Sequence, residues 1–437
     1  METLHPIQEI IKSNKSGSAF GIYSCCSANE LVLRAAIERA VETNTYILIE
    51  ATANQVNQFG GYTGMTPSDF YNYVQALARE YFLPAARLIL GGDHLGPLTF
   101  ADLPEAEAMQ KSEDLVRCFV LAGFTKIHLD TSMKLLGDSK TEPLSDKVVA
   151  ERGARLCAVC EKAYKELKKT KPDAREIVYV VGSEVPIPGG AQEKEDSVSV
   201  TKKVAAIATL ESYRRSFDAL GLSDAWSRVV GLVVQPGVEF GDERIFTYNR
   251  EKTRELSSAL DNFEGICFEA HSTDYQTKNA LKALVEDGFS ILKVGPALTF
   301  ALREALFALD EIDTELSGRE GFAPARFRER LEDEMRTAPS QWTHHYFGSI
   351  GEIEFKLAFS FSDRARYYLP KAGVTRAQKK LMSNLTAHEI PLALLSQYLP
   401  LQYTKVREGE LENRAQALIM DKIKNCIDEY LFACSGV

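Results

Sequence analysis

Short apolar runs recur along the chain with amphipathic stretches between them: 21–23, 46–49, 88–90, 126–129, 177–181, 229–234, 265–268 and 289–292. Each is brief and apolar on both faces, the pattern of strands buried in a parallel sheet. The intervening stretches carry helix-start signals. Ser27 and Glu30 have the spacing of a capping box, followed by Leu33, Ala36, Ile37, Ala40 and Val41 at helical intervals. Thr66, Pro67 and Asp69 repeat the device. Eight alternating βα units predict a (β/α)8 TIM barrel over residues 1–310, with an open doubly wound sheet as the competing arrangement. After residue 310 the alternation stops, and 311–437 reads as a mainly helical extension packed on the barrel. Its last helix shows an apolar face of Ile419, Ile423, Cys426, Ile427 and Tyr430.

Polar residues collect where the apolar runs end. In order they are Ser24, Glu50 with Asn54, Asp93-His94, Asp130, Glu184, Gln235 with Gly237, then Glu269 with His271-Ser272 and Asp274, and Lys293 with Gly295. In a barrel all of these converge on one mouth, the face that carries chemistry. His94 and His271 with a carboxylate such as Glu184 have the composition of a two-His, one-carboxylate site for zinc or another divalent ion. Glu269, two residues before His271, could stand in for Glu184. Such an ion polarises a ketose carbonyl. The competing view is that each histidine only hydrogen-bonds within a polar strand end. Asp93 and Asp130 are the proton-transfer candidates with Glu184, and Asp130 is equally suited to capping the next helix. Glu50, Asn54, Gln235, Gly237, Ser272, Asp274, Lys293 and Gly295 are the expected substrate-binding residues. Lys293, Gly295 and Ser272 stand where barrels often place a phosphate. His128, inside an apolar run, reads as a core histidine.

Composition narrows the partners. The 437 residues carry a net charge of −10 without a basic block, which argues against nucleic acid and anionic membranes. No apolar run approaches the roughly 18 residues of a membrane span. The acidic N-terminus lacks the signal-peptide pattern, so a cytoplasmic protein is expected. Eight scattered cysteines form no disulfide framework, and Cys157 with Cys160 reads as a packed helix face. The glycine pairs Gly60-Gly61, Gly91-Gly92 and Gly189-Gly190 match neither a P-loop nor a dinucleotide fingerprint.

Several longer segments carry a resemblance: 49–65, Gly91-Gly92-Asp93-His94-Leu95-Gly96-Pro97, 182–190, 234–240, 269–277 and 292–300, with 362–368 and 396–403 in the extension. Together they closely resemble the tagatose-1,6-bisphosphate aldolase Z-subunit family. The resemblance implies one of two roles. One is that of a D-tagatose 6-phosphate 4-epimerase, a ketose-phosphate isomerase of galactitol- and tagatose-type catabolism. The other is that of a non-catalytic subunit stabilising a class II aldolase catalytic polypeptide. Asp93-His94 is similar to the Asp-His pair of class II aldolases, where His binds zinc and Asp transfers protons. A homo-oligomer is also expected.

Overall fold

The computed structural model describes residues 4–139, 141–183, 185 and 198–436. Eight parallel strands close into a barrel: β1 (Ile22–Cys25), β2 (Ile47–Thr52), β3 (Leu88–Leu95), β4 (Lys126–Leu129), β5 (Val178–Gly182), β6 (Val229–Val234), β9 (Cys267–Ala270) and β10 (Ile291–Val294). A small hairpin of β7 (Glu239–Phe240) and β8 (Ile245–Phe246) interrupts the sequence after β6. The competing open sheet is thereby excluded, since β1 pairs with both β2 and β10.

Helix α1 (Pro6–Ser13) precedes the barrel and plugs its floor. Ile7 and Ile11 pack with Ile22, Leu48, Ile89, Val178 and Ile291 in one buried cluster. The outer helices are α2 (Glu30–Thr43), α3 (Pro67–Glu80), α4 (Glu105–Ala122), α5 (Asp146–Thr170), α6 (Lys203–Ala219), α7 (Ser223–Trp226), α8 (Arg250–Ser257), α9 (Lys278–Glu286) and α10 (Pro296–Glu320). Thr66 and Asp69 form the expected capping box on α3. On α2 the cap is Asn29 rather than Ser27: its side chain accepts from the Leu31 and Val32 amides, and Ser27 instead accepts from the Asn29 amide. An Asx cap adjoining the helix satisfies two free donors, which a serine two positions further out cannot reach. Cys157 and Cys160 are both buried on α5.

The extension comprises α11 (Phe327–Thr337), α12 (Ile350–Phe359), α13 (Ala372–Ala387), α14 (Leu392–Tyr398), α15 (Pro400–Glu408) and α16 (Ala415–Cys434). Residue 310 falls inside α10, whose Asp310 carboxylate accepts from the Phe327 and Arg328 amides of α11. The last helix returns to the barrel wall, packing against α2, α9 and α10. There the Tyr430 hydroxyl donates to the Thr273 carbonyl at 2.9 Å, and Lys424 bridges Glu38 and Glu42 of α2. Among the described residues, no helix is long and apolar enough to cross a membrane.

Candidate metal centre and cleft

Side chains of a strand alternate between its faces, so every second residue points into the barrel. Above the apolar floor, that rule sends charges inward. Glu50, Gly91 and Lys126 lie side by side in register on β2, β3 and β4. Because Gly91 has no side chain, Glu50 reaches past it to Lys126 Nζ at 2.5 Å, and Lys126 also meets Glu269 at 2.6 Å. A Cβ placed on Gly91 would lie 2.5 Å from Glu50 Oε1. Gly91→Ala is therefore expected to cost about 1–3 kcal/mol of stability, the usual price of overpacking. Chemical denaturation measures it, and a variant as stable as wild type would contradict this packing.

One layer higher, three histidines face one another: ring centroids are 5.1 Å apart for His94 and His128, 5.0 Å for His94 and His271, and 5.4 Å for His128 and His271. His94 sits within a register shift of β3, between Gly92 and Leu95, and holds a left-handed backbone, φ 49°. A bulge of this kind re-aims a side chain, and the conformation is costly for a residue other than glycine.

Each imidazole is oriented by a carboxylate through one nitrogen. His94 Nδ1 lies 2.7 Å from Asp130 Oδ2, His128 Nδ1 lies 2.9 Å from Asp93 Oδ1, and His271 Nε2 lies 2.9 Å from Glu269 Oε1. With the proton on these nitrogens the lone pairs fall on His94 Nε2, His128 Nε2 and His271 Nδ1, although the His94 amide also points at His128 Nδ1 from 3.3 Å. Carboxylate–histidine pairs of this type fix tautomer and ring direction at metal sites. Among the described residues His128 Nε2 is buried without a hydrogen-bond partner, a state that calls for an explanation such as an ion.

Asp93, His94, His128 and His271 each offer a ligand atom within 4.8 Å of the others, and they could hold a metal ion. The charge balance agrees. Four buried carboxylates (Glu50, Asp93, Asp130, Glu269) face two buried ammonium groups (Lys126, Lys293), leaving a deficit that a divalent cation offsets. Burial works to raise the Asp93 pKa, yet His94, Lys293 and His128 hold it well below the usual carboxylate range. Burial pushes His271 down to about 4, against the Glu269 hydrogen bond, so its ring is neutral at neutral pH. For His94 burial acts downward, but Asp93 and Asp130 outweigh it and raise the pKa; a cation would answer the same negative field.

These side chains open into a single cleft at the barrel mouth. Of the residues expected at the site, Asn54, Asp93, His94 and His271 line this cleft, and so do Ser272, Asp274, Lys293 and Gly295. Others stand elsewhere. Asp130 sits behind His94, bonded to its Nδ1 and to Ser132. Glu50 lies beneath the cleft, completely buried. Gln235 folds onto its own turn, accepting from the Gly237 and Val238 amides, and Gly237 faces a separate depression beside Val200. Glu184 and the Gly189-Gly190 pair lie outside the described residues. Within the cleft the Lys293 ammonium is held by Glu50 and, at 2.7 Å, by Asp93. The Gly295 amide is likewise taken, with that of Ala297, by Asp274 at 3.0 and 2.8 Å.

His128 is the residue that the sequence reading assigned to the core and the structure places in the cluster. The available signal was the alternation Lys126-x-His128, which matches Glu269-x-His271 at the end of β9.

The family described as D-tagatose-1,6-bisphosphate aldolase subunit GatZ/KbaZ-like matches residues 7–435. A solved structure described as a probable tagatose 6 phosphate kinase from Sinorhizobium meliloti 1021 is 45% identical, with TM-score 0.85, over 95% of this chain and 100% of its own. The YdjI aldolase from Escherichia coli K12 is 12% identical with TM-score 0.43, covering 87% of this chain and 96% of its own. Fructose-bisphosphate aldolase from Campylobacter jejuni is 14% identical with TM-score 0.41, covering 87% and 93%.

Proposed function

The chain belongs to the D-tagatose-1,6-bisphosphate aldolase subunit GatZ/KbaZ-like family, and on that premise we propose that it is a metal-dependent ketose-phosphate 4-epimerase. Its reaction would interconvert D-tagatose 6-phosphate and D-fructose 6-phosphate, in carbohydrate catabolism of the galactitol and tagatose type. The observation that carries this reading is the ionised carboxylate of Asp93 set beside three convergent imidazoles in one cleft.

A divalent cation held by His94, His128 and His271, zinc by preference, would supply Lewis acidity toward the ketose carbonyl. The remaining work falls to the chain. Removing a proton directly from C4 is difficult, because C4 is not adjacent to the C2 carbonyl. Asp93 instead takes the proton of the C4 hydroxyl. The O–H electrons become the C4 carbonyl of an aldehyde as the C3–C4 bond breaks, and the electrons of that bond move into C2–C3, leaving the three-carbon fragment as an enediolate charged on the former C2 carbonyl oxygen. The aldehyde turns, the bond re-forms on its other face, and Asp93 returns the proton. Asp130 and Glu269 act through His94 and His271, holding each ring in place.

The family's description as an aldolase subunit favours a second reading, in which the chain stabilises a class II aldolase and turns nothing over itself. Incubation of the purified single protein with tagatose 6-phosphate and a divalent ion separates the two. Fructose 6-phosphate formation is expected. No turnover with any divalent metal, together with stabilisation of a class II aldolase, would establish the subunit role instead.

A further inference from the structure

We propose that Arg366, contributed by the extension, anchors the phosphoryl end of the substrate; the inference rests on the reading above that the substrate is a ketose phosphate. Residues 360–370 do not drift over the barrel mouth but are fastened to it. The Asp363 carboxylate receives Arg303 Nε at 2.8 Å and the Thr299 hydroxyl at 2.6 Å, both from α10. The Phe361 amide donates to the Asp242 carbonyl at 2.8 Å, and the Phe361 ring packs on Tyr275 with centroids 4.6 Å apart. This fastening brings Arg366 and Tyr367 onto the wall of the cleft that Asp93, His94 and His271 also line.

A phosphomonoester dianion entering that cleft needs a cation, and the alternatives are spoken for. Lys293, the other cationic side chain among the described lining residues, is held between Glu50 and Asp93. The amides opening α10 are given to the Asp274 carboxylate. Arg366 is differently placed. Its guanidinium donates to the Ser362 and Asp363 carbonyls and to the Tyr367 hydroxyl, at 3.1 Å for the last. Among the described residues no carboxylate lies within ion-pair distance of it. The guanidinium stacks over the Tyr367 ring, 4.6 Å from its centroid, and Tyr367 meets Tyr62 at 5.0 Å. A planar fork held by its own loop, with donors to spare and its charge unmatched, is the arrangement that binds phosphate oxygens in pairs. The extension thus supplies a part of the site that the eight strand ends lack.

Titration of the full chain with fructose 6-phosphate and with free fructose tests this, using wild type, Arg366→Met and Arg366→Lys. Arg366→Met is expected to weaken fructose 6-phosphate by about 10–100-fold, the range for charge-assisted hydrogen bonds, while fructose changes by no more than about twofold. Arg366→Lys should fall between, and inorganic phosphate should compete with fructose 6-phosphate on wild type but not on Arg366→Met. Were Arg366 merely a clamp for its loop, Arg366→Met would weaken both sugars alike and lower the unliganded melting temperature. That result, or unchanged affinity for fructose 6-phosphate, or no binding of it by wild type, overturns the proposal. Should Arg366→Met fail to fold, Arg366→Lys decides by the same comparison of the two sugars. Binding does not need turnover. A protein that binds in an Arg366-dependent way but epimerises nothing would defeat the epimerase reading and leave this one standing; active enzyme with unaltered affinity in the variants would do the reverse.

Discussion

Replacing His128 by alanine is expected to strip the protein of its divalent ion. Wild type should hold about one ion per chain, because three imidazoles converge and a buried Nε2 has no partner among the described residues. Loss of one of three nitrogen ligands should lower affinity beyond the ~10–100-fold typical of losing an outer partner. Elemental analysis after dialysis reads the result directly. His271→Ala and His94→Ala should behave alike, since the three rings are mutually equidistant to within a few tenths of an ångström. A folded His128→Ala protein that keeps its full ion would remove His128 from the ligand set. The set would then revert to His94 and His271 with a carboxylate, Glu184 among the candidates.

Why His128 was hidden while His94 was visible is a matter of strand geometry. Residues at the ends of apolar runs announce themselves, and Asp93-His94, Glu269 with His271 and Lys293 were legible on that ground. His128 is flanked by Ile127 and Leu129, which face the helices, so the run looks apolar on both sides while its inward face is charged. Reading alternate residues instead of whole runs puts Lys126 and His128 on one face with no further information. The barrel itself was legible because eight such runs recur with helices between them. The cleft's far wall was not. Arg366 reaches the mouth only because Asp363 binds Arg303 and Phe361 binds the Asp242 carbonyl, contacts spanning 60 positions and more. No local pattern encodes them. Asn54, Ser272 and Asp274 do line the cleft as their strand-end positions suggested, whereas Gln235 spends its side chain on its own turn.

Asp93→Asn is expected to lower epimerisation by about 10²–10⁴-fold, the usual worth of a positioned acid or base, with the metal retained. The amide is nearly isosteric, and its oxygen can still accept from His128 Nδ1–H, as Asp93 Oδ1 does at 2.9 Å. Its nitrogen would replace the oxygen that faces Lys293, but that ammonium keeps Glu50 as a partner. The variant therefore tests the proton acceptor more than the scaffold. A rival acceptor exists in the same cleft. Burial raises the Asp274 pKa to about 6, close to the working range of a general base, even though the Ala297 and Gly295 amides act against it. Asparagine there can accept the same two amides through its oxygen, so Asp274→Asn should also fold. Measured side by side with tagatose 6-phosphate, Asp93→Asn should carry the loss and Asp274→Asn should change the rate far less. If the large loss follows Asp274 and Asp93→Asn stays active, the proton of the C4 hydroxyl goes to Asp274, and Asp93 serves only to hold His128 and Lys293 in place.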